Sequence, residues 1–342
     1  MTSSAHRARP AQPTLEMVAA EAGVSRATVS RVVNGSPKVS PQIVAAVNAA
    51  IEQLHYMPNR AAQSLANRRT QAVALVVPED MNRFFGDPYF AAIVQGITRR
   101  LEESDYTLNL LVASTDPRHK TRRFLRSGSV DGALIVSHHT GDDVVAALDP
   151  SMPTVFGGRP GNDGDVDAYF VDVDNAAGAE TATQRLIDIG RRRIGTITGP
   201  IDMPAAVDRL AGFVRTLERA GLAADAIENA DFSAAGAVAA ARRLLDRHPD
   251  IDALFVASDL MATGVLDVLR EQGRTVPKDV AIVGFDDSPV APAAAVPLTT
   301  VSQPSDEMGF AMADMLLRLL NGDTEVERHS IMPTHLVVRD SA

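Results

Sequence analysis

Two short helical patterns joined by a glycine, within residues 15–34, constrain the fold of this chain more than any other segment. Apolar residues recur at three- and four-residue spacing over residues 15–22, which predicts a first helix with one buried face. Gly23 stands where this helix must stop, since glycine adopts a positive φ without steric cost. Ser25 is placed to cap a second helix. The apolar side of that helix consists of Val29, Val32 and Val33.

The other side of the second helix is polar and basic. It presents Arg26, Ala27, Thr28, Ser30 and Arg31. A helix with arginine, threonine, serine and a small alanine near its start can lie in the major groove of DNA and reach base edges. Two helices joined in this way are typical of a helix-turn-helix. An amphipathic helix pair with solvated arginines fits the same spacing, so the spacing alone leaves both interpretations open.

The segment that follows favours the DNA-binding interpretation. Ser40 and Pro41 are typical of an N-cap followed by proline at the first helical position, and they open a third amphipathic helix. Residues 56–66 then form a short, weakly apolar segment. Because a helix this short is marginal in water, we expect this segment to become ordered only when it is docked.

Charges divide unevenly along the 342 residues. The net charge of the chain is −10, yet residues 1–70 carry eight lysines and arginines against three acids. The resulting charge of +5 leaves −15 for the remainder of the chain. A basic head on an acidic body predicts contact with DNA phosphates at one end only.

Missing residue types and motifs exclude several classes of protein. The chain has no cysteine, which excludes disulfides, thiolate catalysis and cysteine-based zinc sites. No apolar run approaches the roughly 20 residues that span a bilayer, so we expect a cytoplasmic protein. The sequence has no Gly-x-Ser-x-Gly elbow, Walker loop or His-Glu-x-x-His pattern, so we expect neither an enzyme nor a cofactor.

From residue 71 onward, short apolar runs alternate with helical patterns such as those at 90–101 and 260–269. Strands separated by crossover helices predict parallel sheets covered on both faces. Because the strands are more numerous than one small sheet needs, we expect two lobes. The predicted strands are Ala72–Val77, Thr107–Ala113, Gly132–Val136, Thr154–Phe156, Ile194–Ile197, Ala253–Ala257 and Val280–Phe285.

The N-terminal part of the chain, residues 14–65, resembles the DNA-binding head and hinge of the lactose-repressor (LacI) family. Three segments carry the resemblance: Gly-Val-Ser-Arg-Ala-Thr-Val-Ser-Arg-Val-Val-Asn-Gly at 23–35, Val-Ser at 39–40, and Tyr-x-Pro-Asn-Arg-Ala-Ala at 56–62.

This resemblance implies a role for individual residues of the head. Arg26 and Ala27 would occupy the main base-reading positions, and Leu65 would wedge between base pairs in the minor groove and kink the duplex. The DNA-contacting residues that it implies are Thr14, Ser25, Arg26, Ala27, Thr28, Ser30, Arg31, Asn34, Lys38, Tyr56, Asn59, Ala62 and Leu65.

The body resembles the periplasmic sugar-binding-protein fold of the same family, in which the chain crosses between two lobes three times and ligand binds in the cleft between them. We therefore expect an all-α helix-turn-helix head followed by a two-lobed α/β core with parallel sheets. The domains that we predict are a disordered tail at 1–12, the DNA-binding domain at 13–58, a hinge at 59–70 and an effector-binding and dimerisation domain at 71–342. We expect a homodimer that binds operator DNA and a small-molecule effector, a sugar.

Candidate ligand-binding residues lie just beyond predicted strand ends, where open α/β sheets bind ligands. Four of the fifteen aromatic residues fall within 84–90, and stacking on a sugar ring is one use for such a cluster. Phe90 also shares a stripe with Ile93 and Ile97, which fits core packing equally well. With the polar positions that the resemblance implies, the predicted ligand-binding set is Phe85, Tyr89, Phe90, His138, Arg159, Asp202, Arg209, Phe232, Ser258 and Asp286.

One segment departs from the family pattern. After residue 156, where many relatives place an aspartate, this chain has Gly157-Gly158-Arg159-Pro160. Loss of a side chain predicts a roomier cleft that suits a disaccharide or short oligosaccharide, and the run resembles the cellobiose-responsive branch of the family. The alternatives are a purine-type co-repressor as effector, or a cytoplasmic sugar-binding module without a DNA role.

Overall fold

The computed structural model describes residues 13–33, 36–57, 69–112, 116, 118–142, 148–161 and 167–342. The chain divides into two compact units, Met1–Thr70 and Gln71–Ala342, and each is considered by itself. Within the described ranges, no helix combines the length and apolar character needed to cross a membrane.

The described residues of the first unit form three helices: α1 (Leu15–Glu21), α2 (Arg26–Val33) and α3 (Pro41–Leu54). The turn between α1 and α2 contains Gly23 at φ +66°, as its position in the sequence predicts. Their apolar faces meet in a small core that includes Val18, Val29 and Val47, each with no exposed surface. Ser40 is the N-cap of α3 and Pro41 occupies its first turn, as predicted, although the Ser40 side chain makes no capping hydrogen bond.

Two six-stranded sheets form the second unit, and each defines a lobe. The first lobe has the strand order β11-β5-β4-β3-β1-β2, with all neighbours parallel. Its strands are β1 (Ala72–Val77), β2 (Thr107–Val112), β3 (Gly132–Val136), β4 (Thr154–Gly157), β5 (Tyr169–Val173) and β11 (His329–Met332). The described helices that follow or cover these strands are α4 (Met81–Gly86), α5 (Pro88–Leu101), α6 (Lys120–Arg126) and α12 (Ser305–Leu320).

The second lobe has the strand order β12-β10-β9-β8-β6-β7, and only β12 runs antiparallel to its neighbour. Its strands are β6 (Ile194–Thr198), β7 (Ile227–Asn229), β8 (Ala253–Val256), β9 (Ala281–Asp286), β10 (Thr299–Ser302) and β12 (His335–Val337). Its helices are α7 (Asn175–Asp188), α8 (Pro204–Arg219), α9 (Ala234–Arg247), α10 (Asp259–Glu271) and α11 (Val290–Ala293).

The chain passes between the lobes three times, as the resemblance implies. The first connection leads from β5 to α7, the second from β10 to α12, and the third from β11 to β12. The backbone N–H of Asp174 in the first connection donates to the carbonyl of Met332 at the end of β11, over 3.1 Å. The connections therefore lie side by side, and the segments around them border both lobes.

Close helix contacts fix the shape of the first lobe. Helices α5 and α12 cross where Gly96 faces Asp306 and Gly309 faces Ile93. A Cβ atom at Gly96 would lie 1.8 Å from the carbonyl oxygen of Asp306, so only glycine permits this approach. The sequence pattern predicted α5 but not its crossing with α12, because a helical glycine gives no sign of which neighbour it faces.

Candidate functional site: a cleft between the lobes and an exposed helix

A solvent-open cleft of about 660 Å³ lies between the two lobes, at the carboxyl ends of their strands. This is the position at which open parallel sheets bind ligands. Seven of the ten predicted ligand-binding residues line it: Tyr89, His138, Arg159, Arg209, Phe232, Ser258 and Asp286.

Arg209 of α8 lies at the centre of the second-lobe wall, 5 % exposed. Its Nε donates to Asn175 over 2.9 Å, and one terminal nitrogen donates to the carbonyl of Ala257 over 2.5 Å. The other terminal nitrogen lies 3.4 Å from Oε1 of Gln303. The guanidinium group also covers the ring of Phe285, with 3.6 Å between its central carbon and the ring centroid. Arg209 is therefore held in place before any ligand arrives.

Asp286 ends strand β9 next to Arg209, with 3.7 Å between its Oδ1 and the nearest guanidinium nitrogen. The side-chain amide of Gln303 donates to the same oxygen over 2.8 Å. Burial raises the pKa of Asp286 well above its ordinary value, and the charge of Arg209 opposes that rise. The residue also has a positive φ of 111°, a conformation that non-glycine residues adopt only when their surroundings hold them there.

Sequence reasoning missed six polar residues of the cleft: Arg83, Asp87, Ser137, Asp172, Asn175 and Gln303. Asp172 is 5 % exposed at the end of β5 and accepts hydrogen bonds from Arg159 N, Val173 N and Asn175 Nδ2. Burial raises the pKa of its carboxyl group. Asn175 and Gln303 lie in the connections between the lobes, and the connections could not be assigned without knowing β5 and β10.

Tyr89 and Asp87, at the start of α5, belong to the first-lobe wall. Asp87 caps the helix by accepting from the backbone N–H of Tyr89 over 3.0 Å. Burial raises the pKa of the Asp87 carboxyl group. Burial also raises the pKa of Tyr89, and the negative charge of Asp172 adds to the rise. The Tyr89 hydroxyl thus keeps its proton and can donate it to a ligand oxygen.

His138 lies just beyond strand β3, 5 % exposed. Its Nε2 is 3.1 Å from the carbonyl oxygen of Arg159, and since a carbonyl only accepts, Nε2 carries the proton. Burial lowers the pKa of His138, which keeps the ring neutral and leaves a lone pair on Nδ1. Nδ1 is buried and has no hydrogen-bond partner among the described residues. Gly158 lies beside this ring at φ +95°, and a Cβ atom there would be in ordinary van der Waals contact with it, 3.7 Å from Cε1.

Phe232 lies across the cleft from these groups, on the loop between β7 and α9. The guanidinium group of Arg83, from α4 of the first lobe, lies over its ring at 5.1 Å and also donates to the carbonyl of Asp231. Gly199 leaves room for the ring, because a Cβ atom there would lie 2.1 Å from it. Phe232 therefore lines the cleft, as predicted, with its ring packed against Gly199 and Arg83.

Three predicted ligand-binding residues do not line the cleft. Phe90 is 1 % exposed and packs with Ile93 and Ile97 in the first-lobe core, so the core-packing alternative is the right one. Phe85, in the preceding helix α4, is 73 % exposed and does not belong to the cleft lining. Asp202 contacts His139 instead, with 3.0 Å between its Oδ1 and the imidazole Nδ1.

Side chains of the two lobes also bond to each other directly at the edge of the cleft. His139 connects Asp202 of the second lobe with Glu79 of the first, whose Oε1 lies 3.5 Å from its Nε2. These carboxylates raise the pKa of His139 to about 9. A second bridge joins Arg159 to Asp208 over 3.0 Å. Within the described ranges, no cluster of three or more histidine or acidic side chains is arranged to hold a metal ion.

In the first unit, helix α2 presents the surface that the sequence predicted. Arg26, Ala27 and Arg31 are exposed, while Thr28 and Ser30 are partly buried. Ser25 caps the helix, since its Oγ accepts from Thr28 N over 3.1 Å. Arg26 forms an exposed ion pair of 2.9 Å with Glu16. Both side chains are more than half exposed, so solvent screens the pair and it is weak enough to be exchanged for phosphate.

Other predicted DNA-contacting residues have mixed placements. Thr14, which caps α1, and Lys38 are exposed. Tyr56, by contrast, is 7 % exposed and packs in the head core. Asn34, Asn59, Ala62 and Leu65 lie outside the described residues, as do most of the predicted hinge and the predicted tail.

Comparison with known proteins places this geometry in a family. The family model for bacterial regulatory proteins of the lacI family matches residues 14–59, and that for a periplasmic binding protein-like domain matches residues 183–342. The HTH-type transcriptional regulator CelR of Thermobifida fusca is 47 % identical over 337 residues, covering 97 % of this chain and 99 % of the relative.

Solved structures agree along the whole length. The complex of the transcriptional regulator CelR with cellobiose has a TM-score of 0.78 at 46 % identity, covering 96 % of this chain and 100 % of the other. The lac repressor dimer bound to operator and the anti-inducer ONPF has a TM-score of 0.85 at 27 % identity, covering 97 % and 99 %. With a helix-turn-helix head and a two-lobed core in place, the chain belongs to the LacI family of bacterial regulatory proteins and is a DNA-binding transcriptional regulator.

Proposed function

We propose that this chain is a repressor that binds a palindromic operator as a homodimer and leaves it when a short oligosaccharide, such as cellobiose, occupies the cleft. In this proposal residues 13–58 read the operator, 59–70 form the hinge and 71–342 bind the effector and dimerise, with residues 1–12 as an unstructured tail. The repressor acts in the cytoplasm, where operator DNA is found, and the polar groups of the cleft bind without catalysing a reaction.

The proposed type of effector rests mainly on Nδ1 of His138, which has no hydrogen-bond partner among the described residues. A buried nitrogen without a partner costs free energy, so it favours a ligand that brings a hydroxyl donor to it. Asp87 and Asp286 supply carboxylate oxygens that accept from vicinal hydroxyls, and Arg209 supplies donors. Phe232 offers an apolar ring face to the sugar ring. A neutral, polyhydroxylated ligand matches this combination.

The segment at 157–159 supports a short oligosaccharide as the effector. Gly157 and Gly158 line the cleft without a side chain, and Arg159 lies beside them in the lining. In this proposal, the missing side chains make room for a second sugar ring. The relative that was solved with cellobiose supports the same class of ligand.

The DNA half of the proposal uses the exposed side of α2. Arg26 and Ala27 would read bases, with support from Thr28, Ser30 and Arg31. Asn34, Lys38, Asn59 and Ala62 would contact bases or backbone, and Leu65 would be the minor-groove wedge. A two-fold dimer, as the lac repressor forms on its operator, matches a palindromic site.

Effector and operator are coupled because each favours a different arrangement of the lobes. A coupling free energy of about 1–3 kcal/mol would change operator affinity by about 5- to 150-fold. If the ligand were a co-repressor of the purine type, the same coupling would have the opposite sign.

The test begins with calorimetric titration of the purified full-length protein with cellobiose, glucose, ribose and guanine. A DNA duplex selected from a random library by the protein is then titrated with protein, with and without each compound that binds. We expect cellobiose to bind and to weaken the DNA complex at least fivefold. Binding of a purine that tightens the complex, or the absence of any sugar effect on a complex that forms normally, would contradict the proposed effector.

A further inference from the structure

The turn that follows strand β9 is the most strained segment beside the cleft. Asp286 and Asp287 are consecutive non-glycine residues with φ values of 111° and 54°. Such conformations persist only where neighbouring groups hold them in place. What holds this turn therefore decides where the Asp286 carboxylate lies in the cleft.

Asp259, the first residue of α10, stabilises the turn through hydrogen bonds to its carboxylate. Its side chain is fully buried and does not line the cleft. One carboxylate oxygen accepts from the backbone N–H of Ser288, directly after the turn, over 2.9 Å. The other accepts from the hydroxyl group of Thr300 in β10 over 2.6 Å. The backbone N–H of Asp259 also donates to the carboxylate of Asp286.

Gly284 in β9 makes this arrangement sterically possible. A Cβ atom at this position would lie 2.3 Å from Oδ1 of Asp259, a distance at which something must move. The carboxylate of Asp259 therefore lies against the strand that carries Asp286. The residue before it, Ser258, lines the cleft and caps α10 by accepting from Met261 N over 3.2 Å.

We propose that Asp259 is a positioning residue, which sets the ligand affinity of the cleft by fixing Asp286 and Ser258 without touching the ligand. The proposal rests on the sugar-binding role proposed for the cleft. Burial raises the pKa of Asp259 to about 7, and the hydrogen bonds from Thr300 and Ser288 to its carboxylate oppose that rise.

The decisive comparison is between two substitutions at this position. Asp259→Ala removes both acceptors and releases the turn, so we expect cellobiose affinity to fall at least tenfold. Asp259→Asn restores both bonds in another form, because its oxygen accepts from Ser288 N while its amide donates to Thr300 Oγ. We expect this variant to bind cellobiose within threefold of the unchanged protein. Asp267→Ala, on the exposed side of the same helix, is the matched control.

The experiment combines two measurements on the full-length protein. Hydrogen–deuterium exchange of the peptide covering 284–290 should become faster in Asp259→Ala, and in Thr300→Val if the alanine variant does not fold, but not in Asp267→Ala. Calorimetry with cellobiose should show the matching losses in affinity. Unchanged exchange, or unchanged affinity despite faster exchange, would overturn the positioning role.

A double substitution separates positioning from general destabilisation. If Asp259 acts through Asp286, then Asp259→Ala should weaken cellobiose binding little further in a background that carries Asp286→Ala. If the affinity losses of the two single substitutions multiply in the double variant, the two residues act independently and the proposal is contradicted. If the unchanged protein binds no sugar at all, the proposed function fails, and the exchange measurement still decides whether Asp259 holds the turn.

Discussion

The two walls of the cleft differ in how completely their polar groups are bonded. On the second-lobe wall, Arg209 engages Asn175, Ala257, Gln303 and Asp286 without any ligand. On the first-lobe wall, His138 has a buried nitrogen with no partner among the described residues. We therefore expect the second-lobe wall to bind hydroxyl groups that many sugars share. We expect the first-lobe wall to favour a ligand whose hydroxyl group donates to His138 Nδ1.

The largest expected effect follows from disrupting the bonded wall. Arg209→Ala leaves the buried carboxylate of Asp286 without its cation, and breaking a buried pair costs about 3–5 kcal/mol. We expect cellobiose affinity, measured by calorimetry, to fall by at least about 100-fold. Arg215→Ala is the control, because Arg215 is on the same helix but pairs with Glu180 at the surface. Comparable losses in both variants would show that α8 as a whole, and not Arg209, matters.

A smaller effect is expected where the two walls are joined. The pKa of His139 rises from 6.5 to about 9 in the folded protein, so its contribution to stability is fully present below pH 6.5 and is lost as pH rises through 9. Glu79, Asp202, Asp142 and the His138 ring are the titratable groups around it. We expect this contribution to be about 1–2 kcal/mol after solvent screening of a half-buried group.

Urea unfolding at pH 6.5 and pH 9.5 measures this contribution. The free energy of unfolding should fall more between the two pH values in the unchanged protein than in His139→Gln, which cannot take up the proton. An identical fall in both proteins would rule out His139 as a charged bridge between the lobes.

The smallest expected effect tests the incompletely bonded wall. His138→Phe keeps an aromatic ring against Phe156 but removes Nδ1, so we expect cellobiose affinity to fall about tenfold, the loss of roughly one hydrogen bond. The unfolding free energy should change by less than about 1 kcal/mol, because the substitution removes an unpartnered polar atom along with one hydrogen bond. Phe85→Ala, outside the cleft lining, should leave affinity unchanged. A His138→Phe variant that binds as tightly as the unchanged protein would show that the ligand does not use this nitrogen.

Sequence patterns predicted the head and the parallel sheets because those features repeat along the chain, whereas the resemblance to the family supplied most of the cleft residues. Strand β1 (Ala72–Val77) and strand β3 (Gly132–Val136) have the predicted bounds. Strand β5 was missed because Asp172 interrupts its apolar run, and this aspartate is buried in a way that its sequence neighbours do not indicate.

The aromatic residues near the start of α5 show a second limit. Tyr89 and Phe90 are adjacent, and a helix turns about 100° between neighbours, so only one of them can face the cleft. The stripe of Phe90, Ile93 and Ile97 already indicated which one belongs to the core. Asn175 and Gln303 could not be found in this way, since their role depends on connections that meet only in three dimensions.

The hydrogen bonds from Arg209 to Asn175 and Gln303 bear on where variants that no longer respond to the effector should be found. Asn175 and Gln303 lie where the chain crosses between the lobes, and both are hydrogen-bonded to Arg209. A change in the angle between the lobes would therefore move residues that contact Arg209. If Arg209 binds the effector as proposed, detection of the ligand and transmission of the signal would involve the same side chains. Variants that still bind the effector but no longer respond to it should be absent from these three positions and should be found along the path that leads away from them towards residue 71.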